Sequence, residues 1–198
     1  CDVVGQYWSG QWNPAIHGSL VAWRDARNDR EGDLYAKDLL TGHEFLICAE
    51  NGPQEAAAIS SAGYIVWQDG RHNTNVDVYG YSTSTQLVSP VCTAASHQEY
   101  PSVSGTLAVW EDYRHSSVRL WSVYGKYLDT GIEIEISTGT GLKSHTCVSG
   151  DFVVWTDRRN DGSGDLYGKD LSTDHEFTIS TAAGGQVYAA ISGSLIVW

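Results

Sequence analysis

A tryptophan recurs at intervals of 43 to 45 residues along the whole chain, and this spacing restricts the possible folds more than any other feature. Each tryptophan ends a run of four apolar residues, as in Phe152-Val153-Val154-Trp155. Both faces of such a run are apolar, which is typical of a strand that is buried on both sides of its sheet. The sequence therefore predicts repeated units that pack against one another. The repeated tryptophans are Trp23, Trp67, Trp110, Trp155 and Trp198.

Further motifs recur in phase with the tryptophans. The first four begin the motif W-x-D-x-R-[NH], and three units continue ten residues later with D-[LV]-Y, as in Asp33-Leu34-Tyr35. The third unit is longer and has Val123-Tyr124-Gly125 in the corresponding strand. A turn, another short strand and a glycine-containing segment then lead into the next apolar run. Four short strands in each unit of about 44 residues are typical of one blade of a β-propeller.

We expect an all-β fold, namely a five-bladed β-propeller of four-stranded antiparallel blades, in a single domain over residues 1–198. The expected repeat units are 11–52, 53–96, 97–141, 142–184 and 185–198, the last of them joined by residues 1–10. Residues 2–5 would supply the fourth strand of this last blade, which still lacks its third strand. Because an open sheet edge is normally blunted or paired, the last blade is expected to be short, to close differently, or to borrow a strand from another chain.

The motifs resemble a known kind of repeat. The pattern P-x-[IV]-x-G, then a hydrophobic strand ending in W-x-D-x-R-[NH], then D-[LV]-Y, is similar to the propeller repeats of archaeal and bacterial cell-surface proteins, which are distant relatives of TolB-type repeats. The resemblance covers residues 11–198. It implies a secreted or surface-anchored propeller that serves as a binding or structural module, and it implies no chemistry, because a fold does not fix a function.

The charge balance restricts the partners. Acidic residues outnumber basic ones by 24 to 12, which gives a formal net charge of −12. Nucleic acids and anionic membranes both bind clustered Lys and Arg, so neither is an expected partner. No apolar run approaches the roughly 18 residues that a membrane-spanning helix needs. The expected partners are further copies of this chain, another surface protein, or a glycan.

The four cysteines, Cys1, Cys48, Cys92 and Cys147, fit no zinc or redox motif. Their even number favours two disulfides in an oxidising compartment, with buried thiols as the alternative. The order of the blades favours pairing Cys1 with Cys48 and Cys92 with Cys147, although the sequence permits three pairings. Cys1 is also what lipoprotein processing leaves at a mature N-terminus, so a lipid anchor there is a further expectation.

The loops between the second and third strands of units one and four are acidic and contain glycine. Their carboxylates, at Asp29 and Asp33 and at Asp161 and Asp165, have a spacing at which oxygen ligands can surround Ca²⁺. A complete calcium-loop motif is absent, and Asn-Asp and Asp-Gly pairs are ordinary hairpin residues. We therefore expect plain turns and no cofactor, with bound Ca²⁺ as the alternative.

A glutamine begins the innermost strand in four units, and Lys143 replaces it in the fourth. These side chains could ring one mouth of the central channel, with nearby aromatic rings as stacking surfaces for a sugar. Alternatively, the glutamines satisfy backbone groups where the chain crosses between blades. The candidate ligand-binding residues are Gln11, Trp12, Gln54, Gln98, Tyr100, Gln186 and Tyr188.

The Asp and Arg of W-x-D-x-R lie two residues apart, so on a strand both side chains point to the same side and can pair. Because the pair is present in four units, as in Asp69 and Arg71, a structural clamp is expected rather than a ligand site.

The expected function is that of a non-catalytic extracellular or cell-surface module that is structural or adhesive and self-assembles. A lectin-like, carbohydrate-binding propeller is the alternative. A polysaccharide-degrading enzyme is the third hypothesis, because the repeats show one marked departure from symmetry, the expanded segment with Arg119 and Trp121. No nucleophile motif accompanies it.

Overall fold

The computed structural model describes residues 10–28, 30–72, 74–115, 121–160 and 162–198. All regular secondary structure in these ranges is β-strand, and the strands form four antiparallel four-stranded sheets and one two-stranded sheet. The predicted all-β propeller is therefore confirmed.

Each sheet is one blade, and its strands pair in chain order. Blade 1 contains β1 (Gln11–His17), β2 (Leu20–Asp25), β3 (Asp33–Asp38) and β4 (Glu44–Cys48). Blade 2 contains β5 (Gln54–Ile59), β6 (Tyr64–Asp69), β7 (Asp77–Ser82) and β8 (Leu87–Cys92). Blade 3 contains β9 (Gln98–Ser104), β10 (Leu107–Asp112), β11 (Ser122–Tyr127) and β12 (Glu133–Ser137). Blade 4 contains β13 (Lys143–Ser149), β14 (Phe152–Asp157), β15 (Asp165–Asp170) and β16 (His175–Ser180). Blade 5 contains β17 (Ala190–Ser192) and β18 (Leu195–Val197).

The first strands of the blades are neighbours in chain order, β1 beside β5, then β9, β13 and β17. Three hydrophobic clusters fill the spaces between blades 1 and 2, blades 2 and 3, and blades 3 and 4. The indoles of Trp67, Trp110 and Trp155 are completely buried in these clusters. The two-sided apolarity of the tryptophan strands thus has its predicted cause, since each blade packs face to face on its neighbours.

The first strand of each complete blade contains a bulge. Beside it, one residue of every unit has a left-handed backbone with φ between 50° and 60°. This conformation is uncommon for a residue other than glycine, and its recurrence shows that the bulge belongs to the repeat. The residues are Asn13, Ala56, Tyr100, His145 and Tyr188.

The expected closure of the last blade by residues 1–10 falls almost wholly on residues 1–9, which lie outside the described residues. It therefore stays a prediction. In the longer third unit, the strand predicted around Val123-Tyr124-Gly125 is present as β11, while residues 116–120 lie outside the described ranges.

Candidate functional site

The start of the first strand and the end of the second strand lie side by side at one end of each complete blade, because the residue at the glutamine position pairs with the aspartate of W-x-D. Gln98 lies opposite Asp112, and Gln54 lies opposite Asp69. This end of the inner strands, together with the five left-handed residues beside it, is called the inner mouth below. The residues that follow the glutamine and the tryptophan also face each other there, as Glu99 and Glu111 do.

The predicted glutamines do not present their amides at this mouth in the way the ligand-binding interpretation requires. Gln54 is completely buried, and its Nε2 donates to the backbone carbonyls of Glu50 at 2.9 Å and Gly52 at 2.5 Å. Gln186 makes the equivalent bonds, and Gln98 donates to its own connecting segment at 3.2 Å. Gln11 is exposed, with Nε2 at 3.4 Å from Asp25. The amides of the buried glutamines thus satisfy the segments that cross between blades, as the alternative interpretation proposed.

The three predicted aromatic residues do not share one position. Tyr100 and Tyr188 occupy the left-handed position, and their side chains are 53% and 73% exposed. Trp12 lies one residue earlier in its unit, pairs with Arg24 across the sheet, and has the Arg24 guanidinium 5.3 Å above its ring. The Tyr188 ring lies 4.1 Å from the ring of His145, centroid to centroid. The structure therefore brings Tyr100, His145 and Tyr188 to the mouth.

Two glutamates face each other at the mouth of blade 3. Glu111 is 1% exposed, and its Oε1 accepts a hydrogen bond of 2.7 Å from the backbone N–H of His145 in blade 4. Its Oε2 has no hydrogen-bond partner within the described part of the chain. Burial raises the pKa of Glu111 to about 8, and the charge of Glu99 adds to this. Glu111 therefore retains its proton around neutral pH and links two blades.

The surroundings of Glu99 complete the site. Its Oε2 accepts a hydrogen bond of 3.0 Å from the Tyr113 hydroxyl, and its Oε1 lies 3.7 Å from Nδ1 of His97. Burial raises the pKa of Tyr100, and the nearby carboxylates of Glu99 and Glu111 raise it further. The mouth thus combines hydroxyl donors with carboxylate acceptors beside exposed rings.

Sequence reasoning missed Glu99, Glu111 and His145, although a signal was available. The residue after each tryptophan is Arg24, Gln68, Glu111 or Thr156, so this position is not uniform among the units. Pairing the glutamine position with the aspartate of W-x-D would have placed Glu99 opposite Glu111. Two like charges directly opposite each other are unfavourable on a sheet, which makes this pair conspicuous.

The repeated Asp and Arg form the predicted clamp. In blade 2 the Asp69 carboxylate accepts hydrogen bonds from Trp67 Nε1 at 2.8 Å and from Arg71 Nη2 at 2.8 Å. The Arg71 guanidinium lies 3.8 Å above the ring of Tyr79. Equivalent contacts recur in blades 1, 3 and 4, so the clamp joins the W-x-D-x-R and D-[LV]-Y motifs within one blade.

The acidic loops use their described carboxylates for internal bonds. Asp33 Oδ2 accepts a hydrogen bond of 2.6 Å from Asn28, and Asp165 Oδ2 accepts one of 2.5 Å from Asn160. Their expected co-ligands, Asp29 and Asp161, lie outside the described residues. Among the residues that are described, no three His, Cys, Asp or Glu side chains form a group suited to a metal. Calcium binding stays a prediction.

Cys48, Cys92 and Cys147 are free thiols. The predicted disulfide between Cys92 and Cys147 is therefore wrong, because the two side chains face different interfaces. Cys92 Sγ accepts a hydrogen bond of 3.1 Å from Arg114 of blade 3, whereas Cys147 Sγ donates to the carbonyl of Ala189 in unit five at 3.4 Å. Burial raises the pKa of Cys92 and that of Cys147 to about 11, so both stay protonated.

The pairing predicted between Cys1 and Cys48 has one member outside the described residues, Cys1. Cys48 is free, and its Sγ accepts a hydrogen bond of 3.3 Å from Arg71 Nη2 of blade 2. A lipid anchor at Cys1 stays a prediction.

No family model and no curated protein sequence matches the chain. Solved structures do match it. TolB from Acinetobacter baumannii superposes with a TM-score of 0.62 at 15% identity, over 90% of this chain and 45% of that one. A second TolB-type protein, from Agrobacterium tumefaciens, gives 0.63 at 15% identity, over 81% and 61% of the two chains. The fold is that of a TolB-like β-propeller.

A prolyl endopeptidase structure also superposes on this chain, with a TM-score of 0.68 at 13% identity, over 90% of this chain and 31% of that one. The present chain therefore spans less than two thirds of each of these proteins. At such identities the likeness shows the fold alone, and the resemblance of the repeats to TolB-type repeats is supported at that level. Within the described ranges, no helix is long and apolar enough to cross a membrane.

Proposed function

We propose that this chain is a non-catalytic binding propeller that holds a glycan at the inner mouth. One observation carries the proposal: Tyr100 and Tyr188, from two different blades, expose their rings at the inner mouth, and the half-buried carboxylate of Glu99 lies close to Tyr100. Exposed rings stack on the apolar faces of sugars, while carboxylates and hydroxyls exchange hydrogen bonds with sugar hydroxyl groups. The net charge of −12 favours a neutral or amino sugar over an acidic one.

The burial of Glu111 favours binding over hydrolysis. Glycoside hydrolysis generally uses two carboxyl groups that flank the scissile bond and reach it directly. Glu111 is 1% exposed, and its Oε1 is bonded to the backbone of blade 4, so a sugar could not touch it unless the inner strands moved. Its role in the proposal is to hold the bulge of blade 4 in place below His145.

The proposal includes a location outside the cell or on its surface and a structural or adhesive role. The resemblance of the repeats to those of cell-surface propellers supports both. The TolB-like fold is compatible with a binding or structural module.

The test uses substitutions that the repeat already contains. Ala56 occupies the same left-handed position in blade 2, so Tyr100→Ala and Tyr188→Ala introduce a residue that this backbone accepts. We expect the wild-type chain to bind members of a panel of neutral and amino-sugar oligosaccharides on a glycan array. In calorimetric titration with the best of them, each alanine variant should bind about tenfold more weakly, which corresponds to about 1.4 kcal/mol.

Leu40→Ala is the matched control, because Leu40 is exposed on the turn after β3, at the other end of the strands. It should bind as tightly as the wild type. Absence of any glycan binding by the wild-type chain would refute the proposal, and so would equal affinity of the two tyrosine variants and the wild type.

A further inference from the structure

Tyr81 breaks the repeat at a position where the other three complete blades carry lysine. Two residues after the tyrosine of D-[LV]-Y, or after its counterpart Tyr124 in blade 3, blades 1, 3 and 4 have Lys37, Lys126 and Lys169, whereas blade 2 has Tyr81. The register of the third and fourth strands places these residues at equivalent points of their blades. Tyr81 therefore replaces lysine at the same structural position, and the register of the strands is unchanged.

The lysines of blades 3 and 4 bridge to the preceding blade. Lys126 Nζ donates a hydrogen bond of 2.9 Å to the carbonyl of Val91 in β8, and Lys169 Nζ donates one of 3.3 Å to the carbonyl of Ile136 in β12. Each lysine thus extends across the interface between two blades, and its ammonium group donates to a backbone carbonyl in the outermost strand of the preceding blade. The equivalent carbonyl at the interface of blades 1 and 2 belongs to Ile47, and Tyr81 replaces the lysine that would reach it.

A cavity of about 600 Å³ lies at this interface. It is lined by Phe45 and Ile47 of blade 1 and by Tyr81 of blade 2, and polar groups, including Asp38 and Gln86, complete its wall. At the next interface, where Lys126 lines the corresponding space, the cavity is about 220 Å³. A volume of 300 to 1,000 Å³ is usual for a small-molecule site.

The Tyr81 hydroxyl has no hydrogen-bond partner among the residues that the structure describes, although the side chain is only 9% exposed. Burial raises the pKa of Tyr81, so the hydroxyl stays protonated and can donate or accept. Because Tyr81 lines the cavity, this hydroxyl can form a hydrogen bond with a group that enters it.

We propose that the cavity between blades 1 and 2 binds a primary alkylammonium group, which takes the place that lysine occupies at the next two interfaces. The ammonium donates to the carbonyl of Ile47 and to the Tyr81 hydroxyl, and its alkyl chain packs on Phe45. Either a free diamine or the lysine side chain of a peptide carries the required group. The site is separate from the inner mouth and does not depend on glycan binding.

The electrostatics of the cavity favour a cation. Asp38 lines the cavity, and a hydrogen bond from the backbone N–H of Leu40 lowers the pKa of its carboxyl, so it stays ionised. The rings of Phe45 and Tyr81 lie 6.0 Å apart at 40°, and aromatic faces attract an ammonium. The net charge of −12 adds a long-range attraction.

The experiment titrates the folded chain with 1,5-diaminopentane, with the peptide acetyl-Gly-Lys-Gly-amide, and with uncharged n-pentanol, followed by backbone amide NMR shifts. We expect the two amines, but not n-pentanol, to shift the amides around Phe45 and Tyr81. Tyr81→Lys introduces the residue of blades 3 and 4, which should fill the cavity and weaken amine binding at least tenfold. Tyr81→Phe keeps the cavity open and should retain binding, weakened by loss of the hydroxyl.

The two amines distinguish the two sources of the ammonium group, since a site for a free diamine should prefer 1,5-diaminopentane and a peptide site the lysyl peptide. The proposal is overturned if neither amine shifts these amides, if n-pentanol shifts them equally, or if Tyr81→Lys binds amines as well as the wild type. Should Tyr81→Lys fail to fold, the contrast between the amines and n-pentanol on Tyr81→Phe decides in the same way.

Discussion

At the residue scale, Glu111 shows how one blade can carry a group that its equivalents lack. In blade 2 the same position holds Gln68, whose Oε1 accepts a hydrogen bond of 3.1 Å from the backbone N–H of Tyr100. Glu111 makes the same kind of bond to His145, but as a buried carboxyl opposite Glu99. The neutral amide satisfies the position without a burial penalty for charge, so the glutamate has a cost that depends on pH.

The sign of this cost follows from the pKa of Glu111, which rises from 4.5 to about 8 on folding. Below pH 4.5 the carboxyl is protonated in both states, and its interactions contribute their full stability. Between about pH 4.5 and 8 the unfolded chain releases the proton while the folded chain keeps it, so stability falls as the pH rises. We expect Glu111→Gln to remove this loss, so that its advantage over the wild type grows with pH by up to about 1.4 kcal/mol per unit.

The measurement is urea unfolding of both proteins between pH 5 and 8. Burial lowers the pKa of His145 from its ordinary value of 6.5, so this residue makes the stability of both proteins rise with pH below that value. The difference in unfolding free energy between the two proteins is therefore the informative quantity. Leu40→Ala, at an exposed side chain that carries no charge, serves as the control and should show a difference that does not change with pH. A pH-independent difference for Glu111→Gln would contradict the assignment.

At the scale of the strands, the clamp explains why W-x-D-x-R and D-[LV]-Y recur together. The Asp112 carboxylate is buried and holds Trp110 Nε1 at 2.8 Å and Arg114 Nη2 at 2.7 Å. Arg114 also reaches Glu133 at 2.6 Å on β12, where the glutamate is a third exposed. The Asp112 carboxylate thus holds Trp110 in place, and the Glu133 carboxylate links Arg114 to the outermost strand, β12.

These two carboxylates should differ strongly in their contribution to stability. Asp112→Asn leaves the Arg114 guanidinium without its buried counter-ion and should cost about 3–5 kcal/mol. Glu133→Gln removes a partly exposed ion pair to the same arginine and should cost less than about 1 kcal/mol. Urea unfolding of both variants measures the difference. Equal losses in the two variants would show that the clamp does not act through burial.

The repeats made the strands predictable, since each strand is marked by its own motif. The inner mouth was harder to predict because the exposed ring lies on the left-handed residue of the bulge, which is Tyr100 in blade 3 and Tyr188 in the fifth unit. In blade 1 that residue is Asn13, and Trp12 lies one residue earlier. The glutamine amides donate to backbone carbonyls of the preceding connecting segments. The spacing of the glutamines in the sequence does not predict this side-chain direction. The Cys92–Cys147 pairing failed for a similar reason, because order along the chain says nothing about which interface a side chain faces.

At the scale of the whole molecule, the described blades differ in how completely their apolar faces are covered. The tryptophans of blades 2, 3 and 4 are completely buried, whereas the equivalent Trp198 is 60% exposed beside β18. Leu195 and Val197 on the same strand are also exposed. Among the described residues β18 pairs only with β17. A short apolar strand with an unpaired edge is a template for pairing with another chain, and we propose self-association through this edge.

We expect the 198-residue chain to form dimers or larger assemblies in sedimentation equilibrium, with a mass that rises with concentration above 21.6 kDa. A lysine on a strand edge opposes pairing because its charge must remain in water, so Val197→Lys should shift the chain to monomer. Leu40→Lys adds the same charge at an exposed residue of blade 1 and should leave the assembly unchanged. A wild-type chain that stays monomeric at all concentrations would contradict the prediction, because β18 would then have an intramolecular cover, for which residues 2–5 are the expected strand. Loss of assembly in both lysine variants would instead point to general charge repulsion.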